Sequence, residues 1–158
     1  MNVYCKEFMD EAIRLAIENA VTGNGGPFGA VIVKNNRIIA RGYNRVTELN
    51  DPTAHAEVTA IREACKQLDN FELEGCQVYS SCEPCPMCLG AIYWSRPAAV
   101  YCAATREDAA QAGFDDAMIY SEINSQPEKR KILTSHQNHA NSDSPFKAWK
   151  ENSQRKLY

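Results

Sequence analysis

Two short words, TAHAEV at 53–58 and SSCEPCPMCLGA at 80–91, constrain this chain more than any other part of it. The first holds His55, with Glu57 two residues on. The second holds Cys85 and Cys88, one helical turn apart, just after Pro84. One imidazole and two thiolates suit a tetrahedral zinc ion whose fourth position stays open to water. Any fold adopted by this chain must therefore carry the two words to one point.

Local signals place both words at helix starts. Asp51-Pro52-Thr53 opens a helix that runs to about Leu68, with Val58, Ile61, Ala64, Cys65 and Leu68 on its inner stripe. His55 and Glu57 fall in its first turn. Pro84 precedes a helix over about 86–95, so Cys85 and Cys88 also fall in a first turn, where the helix dipole favours thiolate.

The remaining chain frames these two starts. Residues 4–21 read as an amphipathic helix with Phe8, Met9, Ala12, Ile13, Ala16, Ile17 and Ala20 on one face. GNGGPFG at 23–29 breaks it. Its local reading is a helix-to-strand turn, and it lacks the spacing of a phosphate-binding loop. Residues 29–44 read as a β-hairpin turning at Asn35-Asn36, with Ala30–Val33 apolar enough for burial on both faces. Strands follow at 76–81 and 97–104, a short helix at 106–112, a loop and helix over 113–123, a candidate last strand at 131–136 and a C-terminal helix over 145–158. Strand–helix–strand units imply parallel pairs and helices on both faces of one mixed sheet.

With 158 residues, 44% apolar and 23% charged, the chain fits one soluble domain. No apolar run reaches membrane-spanning length, and MNVYCKEFMDEA lacks the basic head and apolar core of a secretory signal, so a cytoplasmic protein is expected. Seven cysteines in that compartment read as ligands and buried thiols, not disulfides. A net charge of −3 argues against a phosphate-backbone partner.

Zinc on His55, Cys85 and Cys88 would acidify a bound water, and Glu57 would carry its proton to a ring nitrogen and then to a leaving amine. The competing reading is a structural zinc closed by a fourth ligand. Cys82 is the nearby candidate, but it precedes Pro84 at a strand end and reads as a packed thiol. His136 and His139 lie in a polar stretch and read as solvated.

His-x-Glu followed by Pro-Cys-x-x-Cys resembles the zinc nucleobase deaminases. TAHAEV with SCEPCPMC is similar to the cytidine/deoxycytidylate deaminase superfamily. GGPFGAVIV, NDPTAHAEVTAIREAC, SCEPCPMCLGAIYW, AGFDD and the ending SPFKAW…LY resemble the bacterial guanine deaminases within it. That resemblance implies a three-layer α/β/α sandwich around a mixed five-stranded sheet. It implies hydrolysis of guanine to xanthine and ammonia, with His55, Cys85 and Cys88 on one zinc ion per subunit and Glu57 as proton shuttle. It further implies that Asn44 hydrogen-bonds the purine, Phe28 packs on it and Asp116 reads it. Trp94 and Tyr158 would close the pocket, in part from the partner subunit of a homodimer that exchanges C-terminal segments. Without the resemblance Asn44 reads as a turn former, and Asp115-Asp116 as a helix cap. On this view residues 1–138 form the zinc domain and 139–158 an exchanged segment of the same domain. The alternatives are a deaminase of guanosine, cytosine or an aminotriazine, a tRNA adenosine deaminase, and a non-catalytic zinc module.

Overall fold

The computed structural model describes residues 3–158. The first helix, α1 (Lys6–Thr22), buries Met9, Ala12, Leu15, Ala16 and Asn19. Gly23 ends α1 in the left-handed conformation at φ 72°. The hairpin follows as β1 (Gly29–Lys34) and β2 (Arg37–Tyr43). Asn35 and Asn36 both take positive φ, as a two-residue turn between twisted strands requires. A short helix, α2 (Val46–Leu49), then leads to α3 (Ala56–Leu68), β3 (Cys76–Cys82), α4 (Pro86–Ser95) and β4 (Ala99–Ala104).

The sheet order is β2-β1-β3-β4. β1 is antiparallel to both β2 and β3, and β3 runs parallel to β4 across the α4 crossover. β1 is buried along almost its whole length, as its unbroken apolar run required. Val31, Val33 and Tyr79 face α1, with Met9, Ala12 and Leu15. Ala30, Ile32 and Val78 face the other way, onto Ala56, Ala60, Ala64 and Ile92 of α3 and α4. This is an α/β/α arrangement around a mixed sheet.

Two glycines set how closely these layers approach. A Cβ on Gly42 would stand 2.2 Å from the Ala56 carbonyl oxygen and 2.5 Å from the Ala60 nitrogen, so α3 lies directly on β2. A Cβ on Gly29 would stand 2.3 Å from the Ala12 carbonyl oxygen, so α1 lies as closely on β1.

Several sequence expectations are corrected. Among the described residues the sheet has four strands, not five. Residues 131–136 form no strand: Ile132 and Leu133 are 81% and 84% exposed, and the Lys131 N–H bonds the Glu122 carboxylate instead of a ladder. A strand is defined by its neighbour, and local sequence does not supply one. Asp51 caps a turn rather than α3, taking the Thr53 N–H at 2.8 Å and hydroxyl at 2.7 Å; α3 starts later, with His55 at its N-cap.

The chain divides into two compact units between Met118 and Ile119. The first ends with α5 (Arg106–Gln111), capped reciprocally by Thr105 and Asp108. Helix α6 (Ala117–Asn124) spans the division. In the second unit α7 (Ser144–Glu151) stops short of the expected end, and Phe146, Leu157 and Tyr158 are exposed. No described helix is long and apolar enough to cross a membrane.

Candidate metal centre and active site

His55 and Cys85 both occupy N-cap positions, of α3 and α4, with extended backbone angles and no side-chain cap. Each residue thus turns its side chain off a helix start instead of bonding back to it. Cys88 is one turn into α4 and is buried. The His55 Nδ1 lies 3.6 Å from the Cys85 Sγ and 3.5 Å from the Cys88 Sγ. A tetrahedral ion about 2.3 Å from sulfur and 2.0–2.1 Å from nitrogen would hold those atoms about 3.6 Å apart. The spacing fits zinc without rearrangement. All three donor atoms lie within 4.8 Å of one another, and among the described residues no fourth His, Cys, Asp or Glu joins them. A closed structural site is therefore not what these residues build.

The sulfurs are electrostatically unequal. The Cys88 thiol donates to Cys85, and His55 adds to the effect, so Cys85 drops to about 4 despite its burial. The same contact, with burial and the nearby Glu57 charge, pushes Cys88 well up. Bonding to Cys85 also raises His55, against the opposing pull of burial. Cys82 stands apart, donating to the Thr105 carbonyl at 3.3 Å, and burial raises its thiol to about 11. It is a packed thiol, as expected.

Glu57 sits in the first turn of α3, 6% exposed. Burial raises its pKa, which is the first requirement of a carboxylate that must hold a proton near neutral pH. The Ser80 hydroxyl donates to its Oε1 at 3.1 Å, wholly within the core. Ser80 was missed from sequence. The alternation of Cys76, Val78 and Ser80 on one face of β3 was the available signal, since it puts a hydroxyl on the α3 side.

The other predicted residues divide. Asn44 is 6% exposed at the end of β2, and its Oδ1 accepts from the Gly26 and Val46 N–H groups, each at 3.3 Å. Phe28 meets Phe114 edge to face at 5.0 Å. Phe28 also borders an apolar cavity of about 470 Å³ on the α1 side, which none of the three metal donors lines. Asp115 takes the cap role, accepting the Ala117 N–H at 2.9 Å. Asp116 is left beside the centre, its pKa raised by burial and then by the Cys85 thiolate. Trp94 is exposed on α4. Tyr158 lies in the second unit, exposed and edge-on to Trp149 at 6.3 Å.

Residues 4–104 match the model of the cytidine and deoxycytidylate deaminase zinc-binding region. The chain belongs to that deaminase family. A guanine deaminase of Bacillus subtilis is 56% identical over 96% of this chain and 97% of its own. The X-ray structure of the guanine deaminase from Bacillus subtilis superposes with a TM-score of 0.96 at 54% identity, covering 99% of both chains. A tRNA-specific adenosine deaminase of Aquifex aeolicus is 48% identical, but over only 56% of this chain and 58% of its own. The match covers the family's zinc-binding region, and His55, Cys85 and Cys88 form a candidate metal site within it.

Proposed function

We propose that the chain is a zinc-dependent aminohydrolase that converts guanine and water to xanthine and ammonia. The observation that carries this is the end-to-end likeness to guanine deaminase, which includes the second unit, whereas the likeness to the tRNA enzyme spans about half of the chain. The net charge of −3 points the same way, since it offers no general attraction for a phosphate backbone.

His55, Cys85 and Cys88 would hold the ion. When bound, zinc makes a water acidic enough to lose its proton near neutral pH. Glu57 would take a proton from the water that adds to the amine-bearing carbon and pass it to the adjacent ring nitrogen. It would then take the remaining proton of the added hydroxyl and give it to the departing amine, so that the C–N bond breaks and ammonia leaves. The Ser80 hydroxyl, donating to Oε1, orients the carboxyl for these transfers.

Substrate contacts follow from what each group can offer. Asn44 has its Oδ1 occupied, so its Nδ2 presents a donor to a purine acceptor. Asp116 is acceptor-only when ionised and matches the amine and ring N–H of guanine. A base lacking that ring N–H would leave the carboxylate unpaired. Phe28, braced by Phe114, packs on the ring.

Trp94 and Tyr158 close the pocket in a homodimer whose subunits exchange the 139–158 segment. The apolar side chains left exposed in the second unit support such a partner. We place the enzyme in the cytoplasm, acting on free purine base and not on nucleic acid.

The test is ammonia release by zinc-loaded protein from guanine, guanosine, cytosine and adenosine side by side. Turnover of guanine above the rest is expected. Turnover of guanosine with little guanine would overturn the closed pocket, and turnover of none would overturn the reaction.

A further inference from the structure

Asn19 is the one polar residue on the packed side of α1, 4% exposed, and no part of the reaction uses it. A buried amide on a helix is costly unless it is bonded. Its Nδ2 donates to the Gly26 carbonyl at 2.8 Å and to the Asn44 carbonyl at 2.8 Å. Both of its amide hydrogens are therefore spent on backbone, one on the glycine turn and one on the end of β2.

Those two points are the ones that orient Asn44. The Asn44 N–H donates to the Phe28 carbonyl at 3.1 Å, and its Oδ1 accepts from Gly26 and Val46. Gly26 is thus bonded on both sides: its carbonyl to Asn19, its N–H to the Asn44 side chain. Gly25 completes the arrangement, because a Cβ there would stand 2.2 Å from the Asn44 carbonyl oxygen and 3.0 Å from the Asn19 Nδ2. Gly25 therefore lets the turn come close enough for one asparagine to tie it to the residue that follows β2.

We infer that Asn19 is a positioning residue for substrate: by holding the Gly26 and Asn44 carbonyls it sets the direction in which Asn44 presents Nδ2 to the purine. This rests on the reading of Asn44 as a purine contact. Asn19 bonds the Asn44 main-chain carbonyl and not its amide, so it acts only through Asn44.

The test is a double-mutant cycle on the zinc-loaded enzyme with guanine as substrate. Asn19→Asp keeps the shape but turns carboxylate oxygens toward two carbonyls. It should lower kcat/KM about tenfold, chiefly through KM, with zinc content unchanged. In an Asn44→Ala background the same change should cost less than about twofold, because the group it positions is gone. Losses that multiply in the two backgrounds, or a KM unmoved by Asn19→Asp while Asn44→Ala impairs turnover, would overturn the positioning role alone. An Asn44→Ala enzyme with full kcat/KM would overturn the Asn44 reading and this inference with it. Should Asn19→Asp not fold, Asn19→Ser, which keeps one donor, takes its place in the same cycle.

Discussion

Glu57→Gln tests the proposed role of Glu57 as proton carrier. The substitution keeps the shape of the side chain and an oxygen to accept from Ser80, so the residue has no reason to leave its place. It also removes a charge that burial penalises. The carboxyl pKa is raised in the fold, so protonation favours folding at low pH, and the ionised form costs stability as pH rises through that pKa. A neutral amide escapes the cost, and the variant should melt no lower than the parent at pH 7. Turnover is another matter. Removing a positioned general acid–base typically costs about 10²–10⁴-fold, or about 2.7–5.4 kcal/mol at 1.36 kcal/mol per decade. The assay is ammonia release from guanine at saturating substrate, with zinc content and melting temperature measured on the same preparation. A variant that keeps more than about a tenth of parental kcat with its zinc in place would refute the assignment of Glu57 as proton carrier.

Gly42→Ala tests the packing beneath the centre. Its Cβ would meet backbone atoms of α3, which no rotamer change can move, so about 1–3 kcal/mol should be lost. That corresponds to a fall of roughly 2–12 °C in Tm for a chain of this size. Zinc affinity should fall with it, because His55 is the N-cap of the displaced helix; unchanged melting and affinity would sink the close-approach argument. Glu11 tests surface electrostatics. It bonds Arg14 at 2.7 Å and Arg41 at 2.6 Å, and its carboxyl is held at about 2, first by Arg14. The folded pKa is depressed, so this contribution is present above about pH 4.5 and is lost as pH falls toward 2. Since the pair is partly solvated it is worth only about 1 kcal/mol. Urea midpoints of Glu11→Gln and parent, taken at pH 7 and pH 3, should differ more at the higher pH; an equal difference would refute the linkage.

Much of the site was legible because its signals are local. A Cys-x-x-Cys after a proline announces a helix start, and His-x-Glu also lies at one although Asp51 caps the turn before it; helix starts are where metal donors gain from the dipole and unpaired N–H groups. The Asn35-Asn36 turn was equally readable, since few residue pairs tolerate positive φ twice. Elements that depend on a distant neighbour were not readable. Residues 131–136 have strand composition but no ladder, and among the described residues the expected fifth strand is absent. From the residues alone Asp115-Asp116 reads as a helix cap, and it is the structure that puts the Ala117 N–H on Asp115.

The sequence by itself determined which side chains can bind zinc and move a proton, because donor type and spacing within one helical turn are properties of the local chain. Only the tertiary structure decided that they meet. Placing β1 between β2 and β3 sets the starts of α3 and α4 side by side, and this brings His55 within 3.6 Å of both sulfurs. The same packing buries Glu57 against Ser80 and Asn19 against the glycine turn. Burial and its partners are facts about the whole chain, since a side chain is desolvated by residues far from it in sequence.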